Sequence, residues 1–298
     1  MSQRELALKI ARCTDVATAR ADVSHSCHKL VNLQPNPDDY QLPEPWFGNL
    51  EGAEVLFIAS NPSINPTIGP LAEVYPRANW SDADIVEWVV RRVDQSWDEV
   101  PVTFRRPPHK DFVVRCENGD YRNDGAKPFS PQPSWNGVHK RAIELLGANA
   151  APDRNYALTE VVHCKSKAAA GVHEALSHCG GRWMDEIVKC AKNVRMIVLL
   201  GSHARNWAID RFQLASSFAG PVDLGGRNVA VSSSFVATFH GYRSIPVCAL
   251  PHPTSQAKGG TLFQSRFGAE ATVVLRDIAM GLIPAPPDTK ALHQLLAG

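Results

Sequence analysis

The sequence predicts an α/β fold, a three-layer α/β/α sandwich with a central four-stranded parallel sheet. Four short apolar runs support this prediction, and helical patterns separate them. An apolar run that stops at a turn signal is typical of a strand buried on both faces, as in parallel sheets. Strands that alternate with helices favour a layered architecture. The predicted strands are residues 55–60, 155–162, 194–200 and 245–250.

The composition is that of an ordinary globular chain. The sequence has 298 residues, 44% of them hydrophobic, and a net charge of +1, so a surface for nucleic acid would have to come from local clustering of charge. Seven scattered cysteines and the polar start Met1-Ser-Gln-Arg-Glu5 favour a reducing compartment over a disulfide framework. No apolar run approaches the roughly 18 residues that span a bilayer. We therefore expect a cytoplasmic protein with no membrane partner, and we expect it to act as a monomer.

The whole chain, residues 1–298, is predicted to form a single domain that begins with a helical arm over residues 1–49. Residues 4–30 have a composition that favours helix, whereas residues 32–49 are rich in Pro and Asp and are predicted to be irregular. After the first strand, Ser81 precedes a helical pattern of apolar residues and is predicted to cap that helix.

An insertion over about residues 94–134 interrupts the alternation of strands and helices. Its many prolines exclude a long regular element. Basic residues are interleaved with aromatic ones along it, as in loops that bind nucleic acid, and Arg105 and Arg106 are the predicted DNA contacts. The alternative is a solvated insertion whose aromatic side chains only pack onto the core.

The remaining elements follow from apolar spacing and turn signals. A hairpin is predicted over residues 222–240, around Gly225-Gly226, and a C-terminal tail over about residues 282–298. The remaining predicted helices are residues 135–146, 170–191, 204–212 and 261–280.

Several common catalytic motifs are absent from the sequence. No predicted strand is followed by G-x-G-x-x-G, and G-x-x-x-x-G-K-[ST] does not occur, so a dinucleotide site and a P-loop lose their main support. Gly201-Ser-His-Ala204 lacks the second glycine of a nucleophile elbow, which argues against a serine hydrolase.

Chemically functional residues instead occur at the ends of three predicted strands. Ligands of open parallel sheets bind at the carboxyl ends of the strands, so these segments are the candidate site. In chain order they are Asn61-Pro62-Ser63, Thr159-Glu160-Val-Val-His-Cys164 and Pro251-His252-Pro253-Thr254. Taken together, they resemble the uracil-DNA glycosylase superfamily over about residues 50–280, with the insertion outside the resemblance.

The resemblance rests on three matches. Asn61-Pro62 is similar to the Asn-Pro pair of the mismatch-specific and single-strand-selective branches. Residues 158–164 resemble the Thr-Asn-Val-Val-Lys-Cys segment of the thermophilic branch. His252-Pro253-Thr254 resembles the family's His-Pro-Ser loop. The order of the three along the chain adds to the specificity of the match.

The resemblance implies a DNA glycosylase, a hydrolase that flips a base out of DNA and cleaves its N-glycosidic bond to leave an abasic site. Breaking this bond builds positive charge on the sugar and negative charge on the departing base. Asn61 would orient the attacking water beside Ser60 and Pro62, and His252 would donate to the base as a neutral imidazole. From the residues alone, Asn61 could also be a turn or cap residue and His252 a structural loop histidine.

Glu160 and Ser63 depart from the uracil-specific relatives and bear on the choice of base. Those relatives have asparagine at the position of Glu160, whereas glutamate accepts from the exocyclic amine of cytosine and, if protonated, could act as a general acid. Ser63 replaces a tyrosine that crowds the 5-substituent of the base. We therefore expect a 5-substituted cytosine, as in phage DNA, and a role in antiviral defence.

Three alternatives stay open. Glu160 could point away from the site and pair with an arginine. The enzyme could repair uracil or another deaminated base. The protein could also be a catalytically silent nucleic-acid binder.

Further DNA contacts are implied by the same resemblance. Tyr75 lies where relatives place an aromatic residue that stacks on the flipped base, although a core tyrosine fits its position as well. Charged loop residues that could contact phosphate are often only solvated. The contacts expected near the last strand are Thr254, Ser255, Gln256, Lys258, Arg243 and Arg266.

Four of the cysteines are candidate ligands of an iron–sulfur cluster. Cys164 and Cys179 match two iron–sulfur ligands of the thermophilic branch, whose other two ligands form a close N-terminal pair. Here Cys13 and Cys27 are far apart in sequence, and no C-x-x-C occurs. The predicted reaction requires no cofactor. A structural [4Fe-4S] cluster held by these four residues is one interpretation, and four separate buried thiols are the other.

Overall fold

A computed structural model describes residues 1–64, 76–91, 114–115, 121–123, 127–129, 133–214, 227–239, 243–255 and 260–297. Within these residues the fold is mixed α/β, as predicted, with a six-stranded, mostly parallel sheet. The strands are β1 Trp46–Gly48, β2 Val55–Ala59, β3 Val114–Arg115, β4 Tyr121–Asn123, β5 Lys127–Phe129, β6 Tyr156–Glu160, β7 Met196–Leu200, β8 Ser234–Phe239 and β9 Arg243–Leu250. The helices are α1 Gln3–Ala11, α2 Asp15–Ala21, α3 His28–Val31, α4 Asp82–Arg91, α5 Pro133–Leu146, α6 Val172–Cys190, α7 Gly201–Phe212, α8 Arg227–Ser232, α9 Phe263–Phe267, α10 Ala269–Met280 and α11 Thr289–Ala297.

The main sheet has the strand order β1-β6-β2-β7-β9-β8. β6, β2, β7 and β9 are parallel neighbours, and they correspond to the four strands that the sequence predicts. β1 and β8 add antiparallel edges, so the sheet has six strands rather than four. The parallel register pairs Phe57 of β2 with Leu158 of β6 on one side and with Val198 of β7 on the other.

Of the two edge strands, β1 is not predicted from the sequence, and β8 is predicted only as part of a hairpin. β1 is three residues long and directly follows a proline-rich stretch in the segment predicted to be irregular. β8 lies in the predicted hairpin, but residues 227–232 form α8 instead of a first hairpin strand, and β8 pairs with β9. Gly225-Gly226 lies outside the described residues.

The side chains of β2 alternate between two hydrophobic cores. Leu56 and Ile58 belong to one core, and Val55, Phe57 and Ala59 belong to the other. Both faces of this strand are therefore buried, which explains why its sequence is continuously apolar instead of alternating with polar residues.

The ends of several helices differ from the prediction. The predicted helix over residues 261–280 is broken at Gly268, whose φ of +85° separates α9 from α10. The predicted C-terminal tail contains α11, whose Leu292 is fully buried. The predicted cap of α4 is confirmed, because the Ser81 hydroxyl oxygen accepts from the backbone N–H of Asp84 at 3.2 Å.

Three short strands of the insertion, β3, β4 and β5, form a separate antiparallel sheet. Each is two or three residues long, as expected for a segment without a long regular element. Arg105 and Arg106 lie outside the described residues. Every described helix is too short or too polar to cross a lipid bilayer.

Leu292→Ala should destabilise the protein if α11 belongs to the folded domain. Leu292 is fully buried, so we expect a loss of about 2–5 kcal/mol in the free energy of unfolding, measured by urea denaturation. Leu295→Ala on the same helix is the matched control, because Leu295 is 43% exposed, and should change stability by about 0.5 kcal/mol or less. Equal effects of the two substitutions would contradict the packing of α11.

Candidate active site

The three residues predicted to be catalytic lie at one edge of the sheet. β6, β2, β7 and β9 run parallel, so their carboxyl ends share this edge. Glu160 ends β6 and pairs with Ala59 of β2, Asn61 follows β2, and His252 follows β9. Adjacent strands stand about 4.8 Å apart, so β2 and β9, with β7 between them, are separated by about 10 Å. Asn61 and His252 therefore lie on either side of the carboxyl end of β7.

Gly201 lies at the end of β7, where α7 begins. Its φ of +86° is in the left-handed region that favours glycine. A β-carbon added there would lie 3.3 Å from Cβ of His252. The missing side chain therefore allows the loop after β9 to pack closely against the end of β7.

The loop that carries Asn61 is held by backbone hydrogen bonds to the segment after β6. The N–H of Val162 donates to the Ser60 carbonyl at 2.9 Å, and the N–H of Ser166 donates to the Pro62 carbonyl at 3.0 Å. Ser63 and Ser166 also form a parallel β-bridge. The pairing of β2 with β6 thus continues past the ends of both strands.

Glu44 anchors the other side of this segment. Nζ of Lys165, a residue that is 1% exposed, lies 2.6 Å from Oε2 of Glu44. Nδ1 of His163 bonds to the Glu44 carbonyl at 2.8 Å. A buried ion pair holds the geometry of its surroundings, because separating the two charges leaves one of them uncompensated.

Asn61 makes local hydrogen bonds and keeps capacity for more. Its Nδ2 donates to the Pro62 carbonyl at 2.9 Å, and its Oδ1 accepts from the Ser60 hydroxyl at 3.2 Å. A side-chain amide has two N–H donors and two acceptor lone pairs, so one donor and one lone pair have no partner among the described residues. The turn role weighed from the sequence is therefore compatible with orienting a water molecule.

Ser63 and Glu160 differ in exposure. Ser63 is exposed on the loop after β2, whereas Glu160 is partly buried at the end of β6. The strand register places the two on neighbouring chain segments at the candidate site.

The loop after β9 favours one neutral tautomer of the His252 ring. The backbone N–H of Thr254 lies 3.3 Å from Nδ1, and the Thr254 hydroxyl lies 2.9 Å from the same atom. Because a backbone N–H can only donate, Nδ1 is the acceptor and the ring proton resides on Nε2. Burial, and then the positive charge of Arg141, lower the pKa of His252. The ring is therefore a neutral imidazole with an N–H donor at Nε2.

Arg141 and His203 lie near this edge but were not predicted as site residues. Arg141 is fully buried in α5 and donates to the carbonyl of Pro251, next to His252. His203 lies in the first turn of α7, and burial, followed by the charge of His173, lowers its pKa. Neither residue could be recognised from the sequence, because a single arginine or histidine within a helical pattern does not reveal that it lies near the site.

The residues predicted to contact DNA differ in their position and in their exposure. Thr254 is exposed and Ser255 is partly buried in the loop after β9. Arg243 lies at the opposite end of β9 and donates to backbone carbonyls, including that of Val194 at 2.6 Å, so it is not part of this edge. Arg266 is 3% exposed, which argues against a phosphate contact. The predicted contacts outside the described residues are Tyr75, Gln256, Lys258, Arg105 and Arg106.

The four cysteines considered as cluster ligands lie close enough to interact. In each of the six possible pairs of Cys13, Cys27, Cys164 and Cys179, one thiol raises the pKa of the other. Burial is the larger cause, and it raises the pKa of Cys27 to about 11 and that of Cys164 to about 12. Such thiols stay protonated at neutral pH unless a metal binds the thiolate form.

The spacing of these sulfur atoms is too wide for a single metal ion. Four sulfurs around one zinc lie about 3.8 Å apart, given bonds of about 2.3 Å. Among the described residues, the one trio of potential ligand atoms within 4.8 Å of one another is that of Asp15, His25 and His178. Arg182 forms an ion pair with the same Asp15 carboxylate, so this trio is an ion-pair network.

A scan against protein-family models matched no family, and a search of curated proteins found no match to the chain.

His252→Gln should weaken the dependence of stability on pH. Because the pKa of His252 is lower in the folded chain, the unfolded chain takes up its proton first as the pH falls through about 6.5. The wild-type protein should therefore lose more free energy of unfolding between about pH 7.5 and pH 5.5 than the variant does. Urea denaturation at both pH values measures this difference. Equal losses in the two proteins would show that His252 does not titrate as described.

Proposed function

We propose that the protein is a monofunctional DNA glycosylase of the uracil-DNA glycosylase superfamily. One observation carries the proposal: Asn61, Glu160 and His252 follow or end parallel strands of one sheet and meet at its carboxyl edge. This is the edge at which open parallel sheets bind ligands. The proposal includes the finer architecture, a three-layer α/β/α sandwich around the parallel strands, and a monomeric cytoplasmic protein that acts on DNA.

Asn61 and His252, on either side of the end of β7, suit the two charges that form during base removal. Asn61 would hold a water through its remaining donor and lone pair, but an amide is too weak a base to deprotonate it. The sugar–base bond therefore breaks first, and water is captured late. On the other side, the Nε2–H of His252 donates to the base as negative charge develops on it.

Glu160 would identify the base. A carboxylate accepts from the exocyclic amine of cytosine, whereas it repels the O4 carbonyl of uracil. If protonated in the complex, it would also supply a proton to the ring and improve the leaving group. Ser63 is small, and the space beside it would admit a 5-substituent. We therefore propose a 5-substituted cytosine, as in modified phage DNA, as the substrate.

We also propose that Cys13, Cys27, Cys164 and Cys179 hold a structural [4Fe-4S] cluster. The mutual proximity of the four supports this, as does the burial of Cys27, Cys164 and Cys179. The cluster would take no part in base removal. By binding Cys164, it would fix the segment that donates backbone hydrogen bonds to the Asn61 loop.

The substrate proposal predicts a specific pattern of base removal. DNAs that carry uracil, hypoxanthine, cytosine, hydroxymethylcytosine or glucosylated cytosine are incubated with the protein, and alkali-labile breaks are measured. We expect breaks in the modified-cytosine DNAs. Glu160→Asn should shift the preference toward uracil by roughly 5- to 150-fold, since one base-reading contact contributes about 1–3 kcal/mol.

The controls separate the alternatives. His252→Ala should lower the single-turnover rate about 100- to 1000-fold while DNA binding persists. Breaks in uracil DNA but none in modified-cytosine DNA would identify a repair enzyme and reject the proposed substrate. DNA binding without breaks in any substrate would identify a silent binder.

The cluster proposal predicts iron in the purified protein. After anaerobic reconstitution, we expect about four iron and four sulfide ions per chain and a broad visible absorbance. Cys164→Ser and Cys179→Ser should lose both signals. Cys190→Ser and Cys248→Ser are matched controls, because these thiols are buried but no other cysteine affects their pKa. Reconstituted wild-type protein without iron would reject the proposal.

A further inference from the structure

Arg141 of α5 is a buried cation without an ion-pair partner among the described residues. Its side chain is fully buried. Nη1 donates to the carbonyl of Gly137 at 2.6 Å, Nη2 donates to the carbonyl of Pro251 at 3.4 Å, and Nε has no hydrogen-bond partner. A buried charge in this state costs stability. Because Arg141 lies next to the candidate site, we ask whether a functional role offsets this cost in stability.

The carboxylate of Glu144, whose charge acts on Arg141, already accepts hydrogen bonds from another element. Burial lowers the pKa of Arg141 to about 10, and the charge of Glu144 partly opposes this effect. Both carboxylate oxygens of Glu144 accept backbone N–H groups at the start of α9, from Phe263 at 2.8 Å and from Gln264 at 2.9 Å. The positive charge of Arg141 is therefore only partly balanced.

α5 contacts the His252 loop on both sides of the histidine. Arg141 bonds to Pro251, the residue before it. Gly137, one turn earlier in α5, faces Pro253, the residue after it, so closely that an added β-carbon would lie 2.5 Å from Cβ of Pro253. The position of the imidazole is therefore set from α5 as well as from β9.

The positive charge of Arg141 also affects the pKa of the His252 imidazole. Charged and titratable groups on the elements around this edge include His139, Lys140, Arg141 and Glu144 on α5, His203 and Arg205 on α7, and Glu160 on β6. Among them, Arg141 is the one whose charge lowers the pKa of His252. A neutral ring keeps Nδ1 free to accept the N–H of Thr254, so the charge and the loop geometry favour the same state.

We propose that Arg141 is a positioning residue for His252: its buried guanidinium holds the Pro251 carbonyl and places a fixed positive charge behind the imidazole. The effect on base removal rests on the proposed function, whereas the contact and the charge do not. Positive charge at this place also favours the electron density that gathers on a departing base.

The test compares Arg141→Met, which removes the charge but keeps bulk, with Arg141→Lys, which keeps the charge but loses the planar fork. Lys140→Met is the control, because Lys140 is the exposed neighbour on the same helix. The first measurement is the NMR titration of the His252 ring, assigned with His252→Gln. The second is the pH profile of kcat and KM on a DNA from which the wild-type protein removes a base.

We expect Arg141→Met to move the His252 titration midpoint upward, and the acid limb of kcat with it. The value of kcat should fall roughly 10- to 100-fold, because a misplaced donor loses catalytic power, with KM within about twofold. Arg141→Lys should keep the midpoint near that of the wild-type protein but recover only part of kcat. Lys140→Met should change neither.

A folded Arg141→Met protein with an unchanged midpoint would overturn the proposal, as would equal effects of Lys140→Met. If Arg141→Met does not fold, Arg141→Lys decides: a wild-type kcat, or a midpoint moved upward, rejects the role. Wild-type protein that removes no base rejects the proposed function instead, and the titration alone then decides the role of Arg141.

Discussion

The parallel register of β2 with β6 and β7 is the constraint on which the candidate site depends. It pairs Ala59 with Glu160, and the backbone bonds continue beyond the strands, where Val162 and Ser166 donate to the Asn61 loop. A shift by one residue would turn every side chain of β2 to the other face and expose part of both cores. The hydrophobic cores therefore fix the position of the polar loop at the end of the strand.

The segment after β6 links the proposed cluster to the proposed chemistry. Cys164 lies in it, between the two residues that hold the Asn61 loop, and Lys165 ties it to Glu44 through a buried ion pair. Four thiols with raised pKa values are poorly suited to ionise by themselves. A cluster that bound them would add to the hydrogen bonds and the ion pair that already hold this segment.

The sequence predicts the parallel strands and their polar ends because a fully buried strand has an unmistakable apolar run that stops at a turn. It does not predict β1, since a three-residue edge strand that directly follows prolines lacks that pattern, and it places β8 in a hairpin around Gly225-Gly226 instead of beside β9. It also misses Arg141, because the burial of an arginine depends on the loop that packs over α5, which spacing along one helix cannot reveal. The proximity of Cys13 and Cys27 to Cys164 likewise depends on how the arm packs, not on a local motif.

The most direct test of the central claim is to identify the released product. Wild-type protein and Asn61→Ala are incubated with hydroxymethylcytosine DNA, and the supernatant is analysed for free base by mass spectrometry. The account predicts free hydroxymethylcytosine with the wild-type protein and about 100-fold less with the variant, whose water is no longer positioned. Equal release by both proteins, or release of intact nucleotides instead of free base, would contradict it.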